Sequence, residues 1–463
     1  MSTIVGQLAH LIGNFNFESL PPAVVDKAKI VMLDSIGCAF GGYASKPAGI
    51  MRSLVKQMGG NIESTMLVSG ERTSALYATW ANGAAIRYLD FNDTFFARDP
   101  SHPSGNVATA LALGEREGRS GKDVITGLAV AYEIHVRLCE CAGKPNLWNR
   151  GWDHATNVPY AAAGLSAHLL HLSPEQTAHA LAIAGSQSNA LSEIRRGVIP
   201  MTKATAEAKA AGDGLLAALM AAQGMTGPLK IFEGDYGYIN IIASEVDVEA
   251  LTDPAPRWNI LKSTIKNYAI ETMTLGPVDA ALALRREHAI DAGQIEKVVV
   301  GLYDFAFKKP SWDALKLVPT TRETADHSFN YCVAVALLDG DVGPEQFTDA
   351  RIQSPDVRDL MARVELTASP DLEGLYPATF PGITTVHMKD GRVLTKRIDH
   401  PLGHPKNPMT RERLEQKFSK LVEPYMSAGQ MRELIDAVWR LETIGNVGEL
   451  TRMAVSAKAA AKA

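Results

Sequence analysis

The sequence predicts a mainly α protein with a smaller α+β domain, a large all-helical domain packed on a small mixed one. Three observations lead there. Through roughly the first 265 residues, apolar residues recur at three and four spacing amid abundant Ala and Gly. Beyond that point β-branched runs appear, as in IEKVVVGLY over 295–303. After Asn407 the stretch LEQKFSKLVEPYMSAGQMRELIDAVWRLE returns to an amphipathic helical pattern. The expected division is 1–265 for the first helical segment, 266–400 for the α+β domain and 401–463 for helices rejoining the helical body.

The elements follow in order. PPAVVDKAKIVMLDSIGCAFGG puts Val24, Ala28, Val31 and Ser35 on one stripe, with prolines suited to a helix start and Gly41-Gly42 to its end. The same texture predicts helices over 74–88, 105–117, 121–141, 156–171, 174–190 and 204–224. Small residues on successive helices allow backbones to approach closely, so a compact domain is expected, and no fixed-period repeat points to a solenoid. Residues 295–303 read as a strand, and 382–398 as a hairpin turning at Asp390-Gly391. Helical spacing occupies 278–288 and 328–338 between them, and the terminal SAKAAAKA reads as frayed or disordered.

Composition excludes several classes. Forty-six Lys+Arg against fifty-one Asp+Glu give a net charge of −5, without the basic excess that binds nucleic acid. No apolar run approaches the roughly 20 residues of a membrane span, and MSTIVGQLAHLIGNF lacks the pattern of a secretory signal, so a cytoplasmic protein is expected. Four scattered cysteines, Cys38, Cys139, Cys141 and Cys332, make neither a disulfide scaffold nor an iron–sulfur motif. No contiguous metal-ligand spacing is present, and no cofactor is expected.

Four polar groups carry candidate chemistry. Asp90, Asp93 and Thr94 precede Ser101-His102-Pro103, where His102 sits in a loop and suits proton transfer near neutrality. Helix capping accounts for the same cluster. His154, in Gly151-Trp152-Asp153-His154, faces a ligand or packs as a structural histidine. Arg195 and Arg196 are followed by Lys203 at a helix start, against the helix dipole; a nearby anion explains that lysine, as does simple solvation. Last comes Arg322-Glu323-Thr324-Ala325-Asp326-His327-Ser328-Phe329-Asn330-Tyr331, where capping by Asp326 or Ser328 is the plain reading. Neither a Walker loop nor a Rossmann fingerprint, nucleophile elbow or HExxH motif is present.

Taken in order, LDFNDT with SHPSGN, RGWDHAT, AAQGMTGP with IFEGDYGY, TRETADHSFNY, ALLDG and GHPKNPMT resemble the MmgE/PrpD family over nearly the whole chain. The resemblance implies a homodimer with its active site between a helical and an α+β domain. It places Asp90, Thr94, His102, His154, Lys203 and Tyr331 in one pocket for a small polycarboxylate. There His102 or His154 would move protons, Lys203 would offset a carbanion, Asp90 would orient a histidine and Tyr331 would donate to a carboxylate or act as acid. Asp93, Arg195, Lys266 and Met273 join as candidate substrate contacts. The family's reactions include dehydration of 2-methylcitrate, decarboxylation of cis-aconitate and epimerisation of iminodisuccinate. All proceed through one carbanion-like intermediate, and 2-methylcitrate dehydration leads because the LDFNDT to SHPS interval is similar to that branch. Epimerase, decarboxylase and non-catalytic carboxylate binder are the alternatives.

Two places depart from the family pattern. Thr202-Lys203-Ala204 stands where many relatives have Trp-Lys-Gly, and Thr272-Met273-Thr274 where many have Tyr-His-Ser. A pocket histidine is thus replaced by Met273, leaving either a more apolar wall or compensation by Lys266 or Tyr268.

Overall fold

A computed structural model describes residues 3–144, 146–308 and 314–460. Helices of ten or more residues among these are labelled α1 (Ile4–Gly13), α2 (Pro22–Gly42), α3 (Lys46–Met58), α4 (Ala75–Tyr88), α5 (Val107–Arg116), α6 (Gly121–Cys141), α7 (Val158–Leu169), α8 (Pro174–Gln187) and α9 (Lys203–Ala222). After a long connection come α10 (Leu275–His288), α11 (Phe329–Asp339), α12 (Arg411–Val422) and α13 (Ala428–Trp439). The helical first half and smaller mixed part agree with the predicted fold class.

Small residues explain how the helices sit. A Cβ on Gly83 of α4 would lie 2.8 Å from the Ala208 Cβ of α9, so these two helices approach to backbone distance. One turn beyond, they bring Arg87 against Glu207. Helix α9 packs also on α7 and α8, α4 on α2 and α5, and the C-terminal α12 and α13 both lie against α2. Ser120 and Ser173 close capping boxes at the starts of α6 and α8.

The mixed part is a four-stranded sheet in the order β2-β1-β3-β4, with β1 Ile295–Leu302, β2 Val364–Ala368, β3 Gly382–Met388 and β4 Val393–Ile398. β1 and β2 run parallel, and the other two pairings are antiparallel. On β3, Gly382, Thr384, Val386 and Met388 alternate into the core, beneath α10, which packs on β3 and β4. The β3–β4 hairpin turns through Asp390-Gly391, where Gly391 takes φ +88°. The sequence pattern does not predict β2: VELTA is short and mostly exposed, so its alternation is weak. Ala457–Ala460 forms a helical turn where fraying was expected, and 461–463 lie outside the described residues. No helix among the described residues is long and apolar enough to cross a membrane.

Candidate active site

Helix α4 ends at Tyr88, and Asp90 just beyond it takes φ +50°, a left-handed conformation that Asp tolerates better than most non-glycine residues. That turn leaves the Asp90 carboxylate buried among three cations. Lys266 Nζ donates to Oδ1 at 2.6 Å, Lys203 Nζ lies 2.9 Å from Oδ2, and Arg87 Nη1 lies 3.0 Å from Oδ1. Burial works against its ionisation, but Arg87, Lys203 and Lys266 together hold the carboxyl well below the usual range. The anion that a lysine at a helix start called for is therefore Asp90, with Asp326 Oδ1 at 3.4 Å.

His102 precedes Pro103 and is extended, with φ −127° and ψ 79°. Its Nδ1 lies 2.7 Å from the Asp93 carbonyl, which can only accept, so the proton sits on Nδ1 and Nε2 keeps its lone pair in the neutral ring. Burial, then the charge of Arg87, holds this imidazole well below its ordinary value and keeps it neutral. The His154 ring stands edge-on at 5.3 Å. Two groups compete for His154 Nε2: Glu207 Oε1 at 2.8 Å and Arg195 Nη2 at 3.0 Å. A proton on Nε2 satisfies Glu207, whereas a lone pair there satisfies Arg195. Burial and Arg195 lower the His154 pKa. Arg195 is anchored on Asp153 by Nε at 2.5 Å and Nη2 at 3.2 Å.

These groups surround a narrow cleft of about 20 Å³, about the room of one water and well below the usual volume of a small-molecule site, so a ligand enters only by displacing the side chains that close it. Arg87, Asp90, His102, His154 and Arg195 line it, with Trp148, Thr272 and His327. Lys203 reaches the same cluster through Asp90 and through His327 Nδ1 at 3.4 Å.

The remaining expected site residues do not line the cleft. Tyr331 is directed away: it is fully buried and its hydroxyl donates to the Gln346 carbonyl beside Phe347, because α11 turns that face to the 344–347 turn. Met273 packs in the core rather than forming a wall, and its neighbour Thr272 faces the cleft instead. Lys266 spends its donors on Asp90 Oδ1, Asp90 O and Ile270 O, so it braces Asp90 and has none left for a ligand. The Asp93 carboxylate accepts from Ser104 N at 3.0 Å and Tyr132 Oη at 2.5 Å, a loop-closing role. Thr94 stands behind Thr272, whose Oγ1 donates to it at 3.1 Å. Tyr268 donates to Asp279 and does not line the cleft.

Four further contributors emerge from the fold. Arg87 and Glu207 meet at 2.9 Å, and Asp326 holds His327 Nδ1. Lys203 and Glu207 share one face of the Ala-rich α9 at i, i+4, and Arg87 and Asp90 are spaced i, i+3. Those spacings were the available signal, but charged residues on helices are usually solvated.

Among the described residues, two sets bring possible metal ligands within 4.8 Å: His102, His154 and Glu207, and Asp90, Asp326 and His327. Neither suits a divalent cation. Glu207 Oε1 already faces Arg87 and His154, and Asp90 is ringed by three cations, so an added dication would be repelled. The cluster is instead arranged for an anion able to displace carboxylates from Arg195 and Lys203.

The model for the MmgE/PrpD N-terminal domain matches residues 6–251, and that for the C-terminal domain matches 268–441. Thr272 and His327 come from the second segment, the other lining residues named above from the first. The chain is similar to the human cis-aconitate decarboxylase, 27% identical with 98% of this chain and 95% of the relative covered. The cis-aconitate decarboxylase of Aspergillus terreus is 25% identical, covering 98% and 96%. The 2-methylcitrate dehydratase of Escherichia coli O157:H7 is 25% identical, covering 89% and 87%.

Proposed function

The chain belongs to the MmgE/PrpD family, and from that premise we propose that it is a lyase acting on a small tricarboxylate through a carbanion-like intermediate, with dehydration of 2-methylcitrate as the leading reaction. One observation carries this reading: His102, neutral and with Nε2 unprotonated, borders a buried cleft together with the cations Arg87 and Arg195, while Lys203 braces its wall.

In the dehydration, Nε2 of His102 takes the proton from carbon next to a carboxylate. The electron pair left behind forms the carbon–carbon double bond as the adjacent carbon–oxygen bond breaks. The departing hydroxide needs a proton, and His327 is placed for that step: Asp326 holds its Nδ1 and Asp90 Oδ2 lies 3.9 Å from its Nε2. Arg195 and Lys203 offset the charge that develops on the substrate carboxylate. Drawing Arg195 toward that carboxylate frees His154 to donate to Glu207, coupling substrate binding to the state of His154.

A second reading is decarboxylation of cis-aconitate, favoured by alignments with decarboxylases that span 98% of this chain. Loss of carbon dioxide would generate the same kind of carbanion, with a histidine returning the proton. Incubation with each stereoisomer of 2-methylcitrate, read by the ultraviolet absorbance of the conjugated alkene, tests the leading reading. Alkene formation supports it. Its absence with every stereoisomer, with carbon dioxide released from cis-aconitate, transfers the assignment to decarboxylation.

A further inference from the structure

A second groove of about 580 Å³, sharing no lining residue with the cleft, opens between α10, α12, the 267–268 segment and the end of α11. Arg285 and Arg286 from the last turn of α10 and Arg413 from the first turn of α12 converge on it. In a chain of net charge −5, three guanidinium groups in one groove are a local departure.

None of the three has a carboxylate within ion-pair distance among the described residues. Arg285 donates Nη2 to the Leu338 carbonyl at 3.2 Å, and its Nε is buried without a hydrogen-bond partner. Arg413 Nε donates to Asn267 Oδ1 at 2.9 Å, and a cation in the first turn of a helix opposes the dipole. Arg286 is exposed. The nearby acids are already engaged. Asp279 accepts from the Tyr268 hydroxyl and from Leu402 N, and Asp341 pairs with Lys420 at 2.9 Å. Arg285 and Arg286 also suit the negative end of α10, and Arg286 and Arg413 lie in the field of the buried Asp279, one carboxylate against three guanidinium groups.

We propose that this groove is a second anion site, taking a small polyanion with at least two carboxylate or phosphate groups. Planar guanidinium forks from two helices match such oxygens in pairs, which single lysines do not. The site is separate from the cleft but adjoins it through the backbone: Asn267 and Tyr268 line the groove, and Lys266 immediately before them holds Asp90. An occupant would therefore touch the segment that braces the catalytic carboxylate.

Calorimetric titration of the full chain at low ionic strength, with inorganic pyrophosphate and separately with citrate, tests the proposal and distinguishes phosphate from carboxylate preference. Saturable binding of at least one probe is expected. It should weaken about threefold to tenfold in Arg286→Gln, a change that removes no hydrogen bond among the described residues, and more in Arg286→Gln/Arg413→Gln. Binding should persist in Lys203→Met, which impairs the cleft. The proposal is overturned if neither probe saturates, if both arginine variants bind like the parent, or if Lys203→Met alone abolishes binding.

Discussion

Replacing Lys203 by Met keeps the length of the side chain and removes its charge, which separates the catalytic and structural roles of the cluster. Without Lys203, Asp90 still has Lys266 at 2.6 Å and Arg87 at 3.0 Å, so no buried carboxylate is orphaned. The stability cost is that of lost charge-assisted contacts to Asp90 and Asp326, about 1–3 kcal/mol. Unfolding entropy near 2 cal/mol/K per residue gives about 1 kcal/mol/K for a chain of this size, and hence a fall in Tm of about 1–3 °C. Catalysis should suffer more. A preorganised cation facing a developing dianion contributes about 3–4 kcal/mol, so kcat should fall about 10²- to 10³-fold. Steady-state kinetics beside thermal unfolding compares the two effects. A kcat loss below about tenfold in a folded variant would refute the role given to Lys203.

Three further outcomes follow from the same geometry. Burial, reinforced by the charge of Asp90, pushes the Asp326 carboxyl up to about 6 despite Lys203, so activity should rise with pH through about 6 as Asp326 ionises to hold His327; in Asp326→Asn this limb should vanish from the kcat/KM profile. His102 and His154 titrate below their ordinary value of 6.5 in the fold, so the unfolded chain takes up protons first, and their contribution should lower chemical-denaturation stability as pH falls through 6.5. Tyr331→Phe should leave kcat/KM within about twofold and cost about 1 kcal/mol for the lost bond to Gln346, whereas Arg87→Met, stripping a buried cation from Asp90 and Glu207, should cost about 3–5 kcal/mol by chemical denaturation.

Much of the fold was legible because helical periodicity in the first half is strong. The pattern over 121–141 matches α6, and that over 204–224 matches α9 to within two residues. The hairpin at Asp390-Gly391 was equally clear, since its turn chemistry is local. β2 was not legible: its parallel pairing with β1 depends on a partner more than sixty residues earlier, at Val298↔Val364. At the site, Asp90, His102, His154, Arg195 and Lys203 were legible as candidates, but capping, packing or solvation explained each residue taken alone, and the family resemblance was what joined Asp90, His102, His154 and Lys203 in one pocket. Arg87 and Glu207 were not legible, because each looks like an ordinary charged helix residue until α4 and α9 are packed together at Gly83 and Ala208. Tyr331 and Met273 show the converse. Position within a motif does not determine which way a side chain points, and here helix packing turns both into the core.

The account depends on the cation-lined cleft being where a tricarboxylate sits. A crystal structure with tricarballylate, which lacks the hydroxyl and double bond of the proposed substrates, tests this most directly. One carboxylate is predicted on Arg195 and another on Lys203, with Nε2 of His102 facing a ligand carbon. A ligand bound elsewhere, with Arg195 still against His154 and Lys203 still against Asp90, would contradict it.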